Sequence, residues 1–180
     1  MRETVHTQPE REPLDCRDVA AQYRDAMARL ATGVVVVTCW IDGKPWGTTV
    51  SACCSVSLDP PLILASLREN TASVQAIRRS GTFGISILGQ RTVDVARFAS
   101  RPGQAKFIHE YCDVVPDTVT PAIRDSVAHA CCEVDQQVRA GDHVLFVGRV
   151  REVFLHTNDR PLVYHSRDFC GIGQGAPSDS

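Results

Sequence analysis

The stretch VVVVTCWIDGKPWGTTVSACCSVS, residues 34–57, decides the fold class. Val34 to Trp40 is a continuous run dominated by β-branched residues, the pattern of a buried strand. Asp42-Gly43 then marks a hairpin, because the favoured two-residue turn needs positive φ at both central positions. Trp46 to Ser57 returns as a second strand, rich in Thr, Ser, Val and Cys. Asp59-Pro60-Pro61 ends it, since proline cannot donate to a ladder.

Working outward, Asp15 to Thr32 places Val19, Tyr23, Met27 and Leu30 at helical spacing. Gly33 is the expected C-cap of that helix. Downstream, Leu62 to Leu67 reads as a third strand. Asn70 caps a short helix through Arg79, with Gly81 after it. Phe83 to Leu88 is a fourth strand and Thr92 to Ala99 a second short helix. Residues 100–125 carry no regular pattern. Ala128–Arg139 and Val144–Leu155 are strands joined by a Gly141-Asp142 turn, and Leu162–His165 is a last short strand. Strands dominate and no regular βαβ alternation occurs. The pattern predicts a mainly β fold, a β-barrel or Greek-key core with short peripheral helices.

The chain has 180 residues, 43% apolar and 22% charged, which fits one globular domain. We expect a flexible N-terminal arm over 1–14, a single domain over 15–172 and a flexible tail over 173–180. Net charge is −2, so no nucleic-acid footprint is expected. No apolar run approaches the ~18 residues of a membrane span, so no membrane association is expected. The first residues lack the apolar core of a signal peptide, which makes the cytoplasm the expected location. Eight cysteines occur without a C-x-x-C or a zinc-type spacing. They read as small buried residues in a reducing compartment, with a metal site or a disulfide framework as the alternative.

The sequence motifs of phosphate loops, dinucleotide folds and serine hydrolases are absent, so any nucleotide is held by another device. Three segments are candidates. Gly47 to Ser57 concentrates hydroxyls and small side chains on extended chain, which lets a flat ligand approach the backbone. Its plainer reading is a half-exposed strand. Ser66 to Ser73 ends a strand and opens a helix, whose free N–H groups suit a phosphate. Its plainer reading is a capped surface helix. Arg97 and Lys106 are available to the same anion. Gly141-Asp142-His143 sets an imidazole at a strand mouth.

Together these segments resemble the short-chain flavin reductase family, the reductase components of two-component flavin monooxygenases. The resemblance runs from about Tyr23 to Ile172. It is carried by RDAMARLATGVVVVT, GTTVSACCSVSLDPPLIL, SGTFGISIL, ARFAS, AKF, GDHVLFVGRV and PLVYHSRDF. It implies a split β-barrel of Greek-key type and hydride transfer from NADH to FMN or FAD, with NADPH as the alternative donor. Reduced flavin would diffuse to a partner monooxygenase, and the protein would be a homodimer. Two other activities on such a barrel stay open: flavin binding without turnover, and a pyridoxamine-phosphate-type oxidase.

The resemblance also implies a set of site residues. Trp46, Gly47, Thr48, Thr49, Val50, Ser51 and Ala52 would line the flavin ring and ribityl chain. Ser66, Leu67 and Arg68, with Asn70, Ala72 and Ser73, would hold the ribityl and phosphate end. Arg97-Phe98 and Lys106-Phe107 would lie near the phosphate. His143, the expected catalytic residue, would meet the nicotinamide together with Gly141 and Asp142, and Tyr164 would lie nearby. No metal is expected. The family often has Ser at Ala52 and Gly at Ser166, so this chain lacks one potential flavin hydrogen bond.

Overall fold

The computed structural model describes residues 16–113 and 119–173. The arm expected over 1–14 and residues 174–180 of the expected tail lie outside them. The described chain is mainly β, with antiparallel sheets and short helices.

Helix α1 spans Cys16–Ala28 and strand β1 spans Thr32–Gly33. The helix therefore ends four residues before Thr32. Gly33 does not cap it: Thr32 and Gly33 pair with Tyr164 and Val163 in a small sheet. Strand β2 (Val35–Ile41) and strand β3 (Lys44–Val50) form the expected hairpin. Asp42 and Gly43 turn it with φ of 49° and 72°, the left-handed pair that such a turn requires.

The return strand predicted over Trp46–Ser57 is instead two strands. β3 ends at Val50, and β4 covers Cys53–Leu58. β3 pairs with β2, whereas β4 pairs with β5 (Pro61–Arg68). Ser51 and Ala52 are thus a corner, with the Ala52 carbonyl accepting from the Ser66 N–H at 2.9 Å.

Helix α2 (Ala72–Ser80) is capped by Thr71, not Asn70. The Thr71 hydroxyl accepts from the Val74 N–H and donates to the Arg68 carbonyl. Gly81 closes the helix in the left-handed conformation. Strand β6 is Thr82–Ile87 and helix α3 is Val93–Ser100. Two short strands, β7 (Cys112–Asp113) and β8 (Ala122–Ile123), pair with each other. Two long strands, β9 (Ala128–Ala140) and β10 (His143–Leu155), form a hairpin through Gly141-Asp142. Beyond them, β11 (Leu162–His165) is followed by β12 (Asp168–Gly171), which the sequence did not announce.

The main sheet has the order β3-β2-β6-β9-β10-β5-β4. β3 and β4, adjacent in sequence, stand at its two ends. β2 is buried on both faces, which is why its sequence is continuously apolar rather than alternating. Val35, Val37 and Cys39 join Leu67, Val74, Ile77, Phe83 and Phe146 in the core beneath α2. Val34 and Val36 join Leu88, Val95, Ala96, Ala99 and Ile108 in the core beneath α3. The two helices therefore cover opposite faces of the same strand, and β3 beside it becomes the wall between them.

Candidate active site

Gly47 fixes how the chain passes β3. A Cβ there would lie 2.9 Å from Val36 and about 3.0 Å from Ile108, tighter than real contacts allow. Glycine lets the segment around Lys106 lie along the outer edge of β3. The Gly47 N–H donates to the Lys106 carbonyl at 3.1 Å, and the Ile108 N–H to the Pro45 carbonyl at 2.9 Å. Phe107 then stacks edge-on against Trp46, with ring centres 5.0 Å apart.

Between this wall, the end of β5 and the start of α2 lies a cavity of about 620 Å³. β3 contributes Trp46, Thr48, Thr49 and Val50. β5 contributes Ser66, Leu67 and Arg68, and the turn and first helical residues contribute Asn70, Thr71 and Ser73. Lys106 and His143 complete the polar lining. The fourth side is Ser100, Pro102, Gly103 and Gln104, which the sequence reading did not select. Residues 100–125 carry no regular pattern in the sequence, so nothing there tells which wall this loop covers.

His143 is placed by the ladder. It is the residue opposite Arg68 across β5 and β10, and opposite Ala140 across the hairpin. Its Nδ1 lies 2.7 Å from Asp142 Oδ1. That contact, with the charge of His143 behind it, holds the Asp142 carboxyl below the usual range. Arg68 stands 4.0 Å from the other Asp142 oxygen, and both side chains are exposed. Burial lowers the pKa of the Lys106 ammonium from the ordinary lysine value.

A second cavity of about 440 Å³ adjoins the first through Thr49, Val50 and Ser100, and is closed by Ser51, Tyr164, Arg167 and Phe169. A third, of about 550 Å³, lies between α1 and the Ser51-Ala52 corner. The expected residues therefore divide. Trp46, Thr48, Thr49, Val50, Ser66, Leu67, Arg68, Asn70, Ser73, Lys106 and His143 meet in the main cavity. Ser51, Ala52 and Tyr164 line the adjoining ones. Gly47, Phe107, Gly141 and Asp142 stand behind lining residues rather than in the wall. Phe98 packs on Tyr111 beside the core under α3. Arg97 and Ala72 are exposed and line none of these cavities.

A cavity of this size is in the range that holds small-molecule cofactors. Its hydroxyls, two amide side chains, two cations and an imidazole suit a ligand with a polar ring edge and an anionic end. Among the described residues, no cluster of side chains is arranged to hold a metal.

The flavin reductase like domain matches residues 27–173, a span that contains every wall of the cavity. The chain belongs to this family. One relative, an NADH-dependent FMN reductase of Streptomyces nodosus subsp. asukaensis, is 39% identical over 150 residues, covering 80% of each chain. Another, a flavin reductase (NADPH) of Lentzea aerocolonigenes, is 36% identical over 156 residues, covering 83% of this chain and 88% of the relative. The solved structure of BorF, the flavin reductase component of a bacterial two-component tryptophan halogenase, is 31% identical. It superposes with a TM-score of 0.78 over 87% of this chain and 99% of BorF. Family membership accounts for the absence of a nucleophile and a dinucleotide fingerprint: a flavin reductase needs neither, because two rings held in register suffice for hydride transfer.

Proposed function

We propose that this chain is an NAD(P)H:flavin oxidoreductase that transfers a hydride from NADH to FMN or FAD and supplies reduced flavin to a partner monooxygenase. The observation that carries the reading is the single cavity in which β3, the end of β5, the start of α2, Lys106 and His143 converge. Relatives named for both NADH and NADPH leave either nicotinamide nucleotide as donor.

A bound flavin supplies a ring that accepts the hydride. Everything else falls to the chain. The short side chains of Thr48, Thr49 and Ser66 leave a flat ligand close to the strands. Asn70 and the N-terminus of α2 offer donors to the ribityl and phosphate end, and Lys106 and Arg68 offset its charge. His143, held from behind by Asp142, orients the nicotinamide at the mouth. Trp46, backed by Phe107, gives an apolar wall that excludes water from that side.

The sheet order, with β3 and β4 brought to opposite ends, supports reading the fold as a split β-barrel of Greek-key type. A homodimer is supported by the face of α1, where Val19, Tyr23 and Met27 stand exposed, continued by exposed Leu30 just after the helix. No helix among the described residues is long and apolar enough to cross a membrane. The burial of Cys39, Cys131 and Cys132 in the core supports reading the cysteines as small apolar residues of a reducing, cytoplasmic setting.

The test is to follow NADH absorbance with the purified protein and excess FMN, then with FAD and with NADPH. NADH loss that depends on added flavin supports the reading. Flavin binding without loss of either nicotinamide nucleotide overturns it.

A further inference from the structure

Thr48, Ser73 and Trp46 form a hydrogen-bonded chain in the cavity wall. The Trp46 Nε1–H donates to Ser73 Oγ at 3.1 Å. Ser73 Oγ lies 2.6 Å from Thr48 Oγ1, and distance alone leaves the donor open. Burial decides it. Ser73 is fully buried, and Thr48 is half-buried at the cavity. If Thr48 donated to Ser73, Ser73 would accept twice, and its own proton would have no partner among the described residues. A buried hydroxyl proton without an acceptor is costly, whereas one facing an open cavity is satisfied by water or ligand. Ser73 therefore donates to Thr48, and the Thr48 proton points away from Ser73, to the cavity side.

Thr49 has the opposite polarity. Its hydroxyl donates to the Ala96 carbonyl at 2.8 Å, so only its lone pairs remain for a ligand. Neighbouring threonines thus present one donor and one acceptor.

We propose that the Trp46–Ser73–Thr48 chain fixes Thr48 as a hydrogen-bond donor to an acceptor oxygen or nitrogen of the flavin, making Thr48 a specificity-determining residue and Ser73 and Trp46 its positioning residues. The inference rests on the flavin-reductase reading of the same cavity. The acceptor lies either on the ring and ribityl chain or on the phosphate.

Flavin fluorescence quenching with FMN and with riboflavin, which lacks the phosphate, tests this. Thr48→Val, which keeps the shape and removes the hydroxyl, weakens FMN binding about five- to tenfold. Thr48→Ala does the same should the valine variant fold poorly, and melting curves establish folding for each. Thr48→Ser restores affinity to within about twofold. An equal loss for FMN and riboflavin puts the acceptor on the ring or ribityl chain, and a loss for FMN alone puts it on the phosphate. Both support the inference. In a Ser73→Ala background the loss from Thr48→Val shrinks, because no buried Ser73 proton then claims the Thr48 lone pair. Undiminished FMN affinity in both Thr48→Val and Thr48→Ala, a change confined to the KM for NADH, or a full Thr48→Val loss in the Ser73→Ala background overturns it. Wild-type protein that binds no flavin overturns the underlying reading as well, which separates the two failures.

Discussion

Asp142 Oδ1 stands 2.7 Å from His143 Nδ1, so the imidazole is gripped from behind while its ring borders the cavity. Removing the ring by His143→Ala lowers kcat/KM for NADH by about tenfold, the scale of one lost orienting hydrogen bond, and leaves FMN affinity within about twofold. Asp142→Ala gives a smaller loss in the same direction, because the ring remains but is free to turn. Asp142→Asn, which still offers an oxygen to Nδ1–H, lies nearest wild type. Steady-state kinetics with NADH varied at saturating flavin distinguish the three. The low pKa of Asp142 keeps this grip in place below the ordinary carboxylate range.

Lys106 gives an alkaline signature. Its folded pKa is lowered by burial, so its charge is lost at a lower pH than that of an exposed lysine. If the ammonium offsets the flavin phosphate, FMN affinity falls as pH rises through that lowered value. Riboflavin affinity stays flat. Lys106→Gln weakens FMN by about tenfold near neutrality and abolishes the alkaline fall. Titrations of both flavins across pH check it.

Gly47→Ala forces a methyl against Val36 and Ile108, both held in the core under α3. Overpacking of this kind costs about 1–3 kcal/mol. The expected result is a lower denaturation midpoint with an unchanged m-value. The segment 106–108 hydrogen-bonds along the same edge, so the variant also raises the KM for flavin.

The apolar face of α1 tests the assembly. Tyr23 is 63% exposed and Val19 48%, an unusual state for large apolar residues on one helix. Tyr23→Glu together with Met27→Glu shifts a dimer toward monomer in light scattering. A wild-type monomer removes the dimer proposal.

What was legible in the sequence was local. Val34–Trp40 with Asp42-Gly43 announces a hairpin through β-branching and turn chemistry, and both are found. The break at Ser51-Ala52 was not legible, since neither proline nor glycine marks it. It exists because β3 and β4 pair with different strands, a non-local choice. Gly33 looked like a cap and is a strand residue for the same reason: it pairs with Val163, far along the chain. The Ser166-Arg167 turn is hidden because two non-glycine residues take left-handed φ of 51° and 65°. In the site, the motif residues of β3, β5 and the start of α2 meet in the cavity, whereas Arg97 and Phe98 do not, and Pro102 to Gln104 arrive by the path of a loop.

His129 carries the last prediction. It is almost fully buried on β9, with Nδ1 2.9 Å from Ser86 Oγ and Nε2 3.0 Å from Thr120 Oγ1. Ser86 Oγ accepts from the Ile123 N–H, and Thr120 Oγ1 donates to Cys131 Sγ. Ser86 therefore gives its proton to Nδ1, and Nε2–H donates to Thr120, which makes the ring neutral with the proton on Nε2. Burial, and then the charge of His156, push its pKa down from 6.5 to about 4. Between those two values the unfolded chain binds a proton that the folded chain refuses. Stability is therefore full above about pH 6.5 and falls as pH drops toward 4, by about 3 kcal/mol in all. Denaturant melts across that window show the slope. His129→Gln, which can bond both hydroxyls but does not titrate, is less stable at neutral pH and has a flatter acid limb. An acid limb as steep in the variant as in the wild type would assign the loss to other groups.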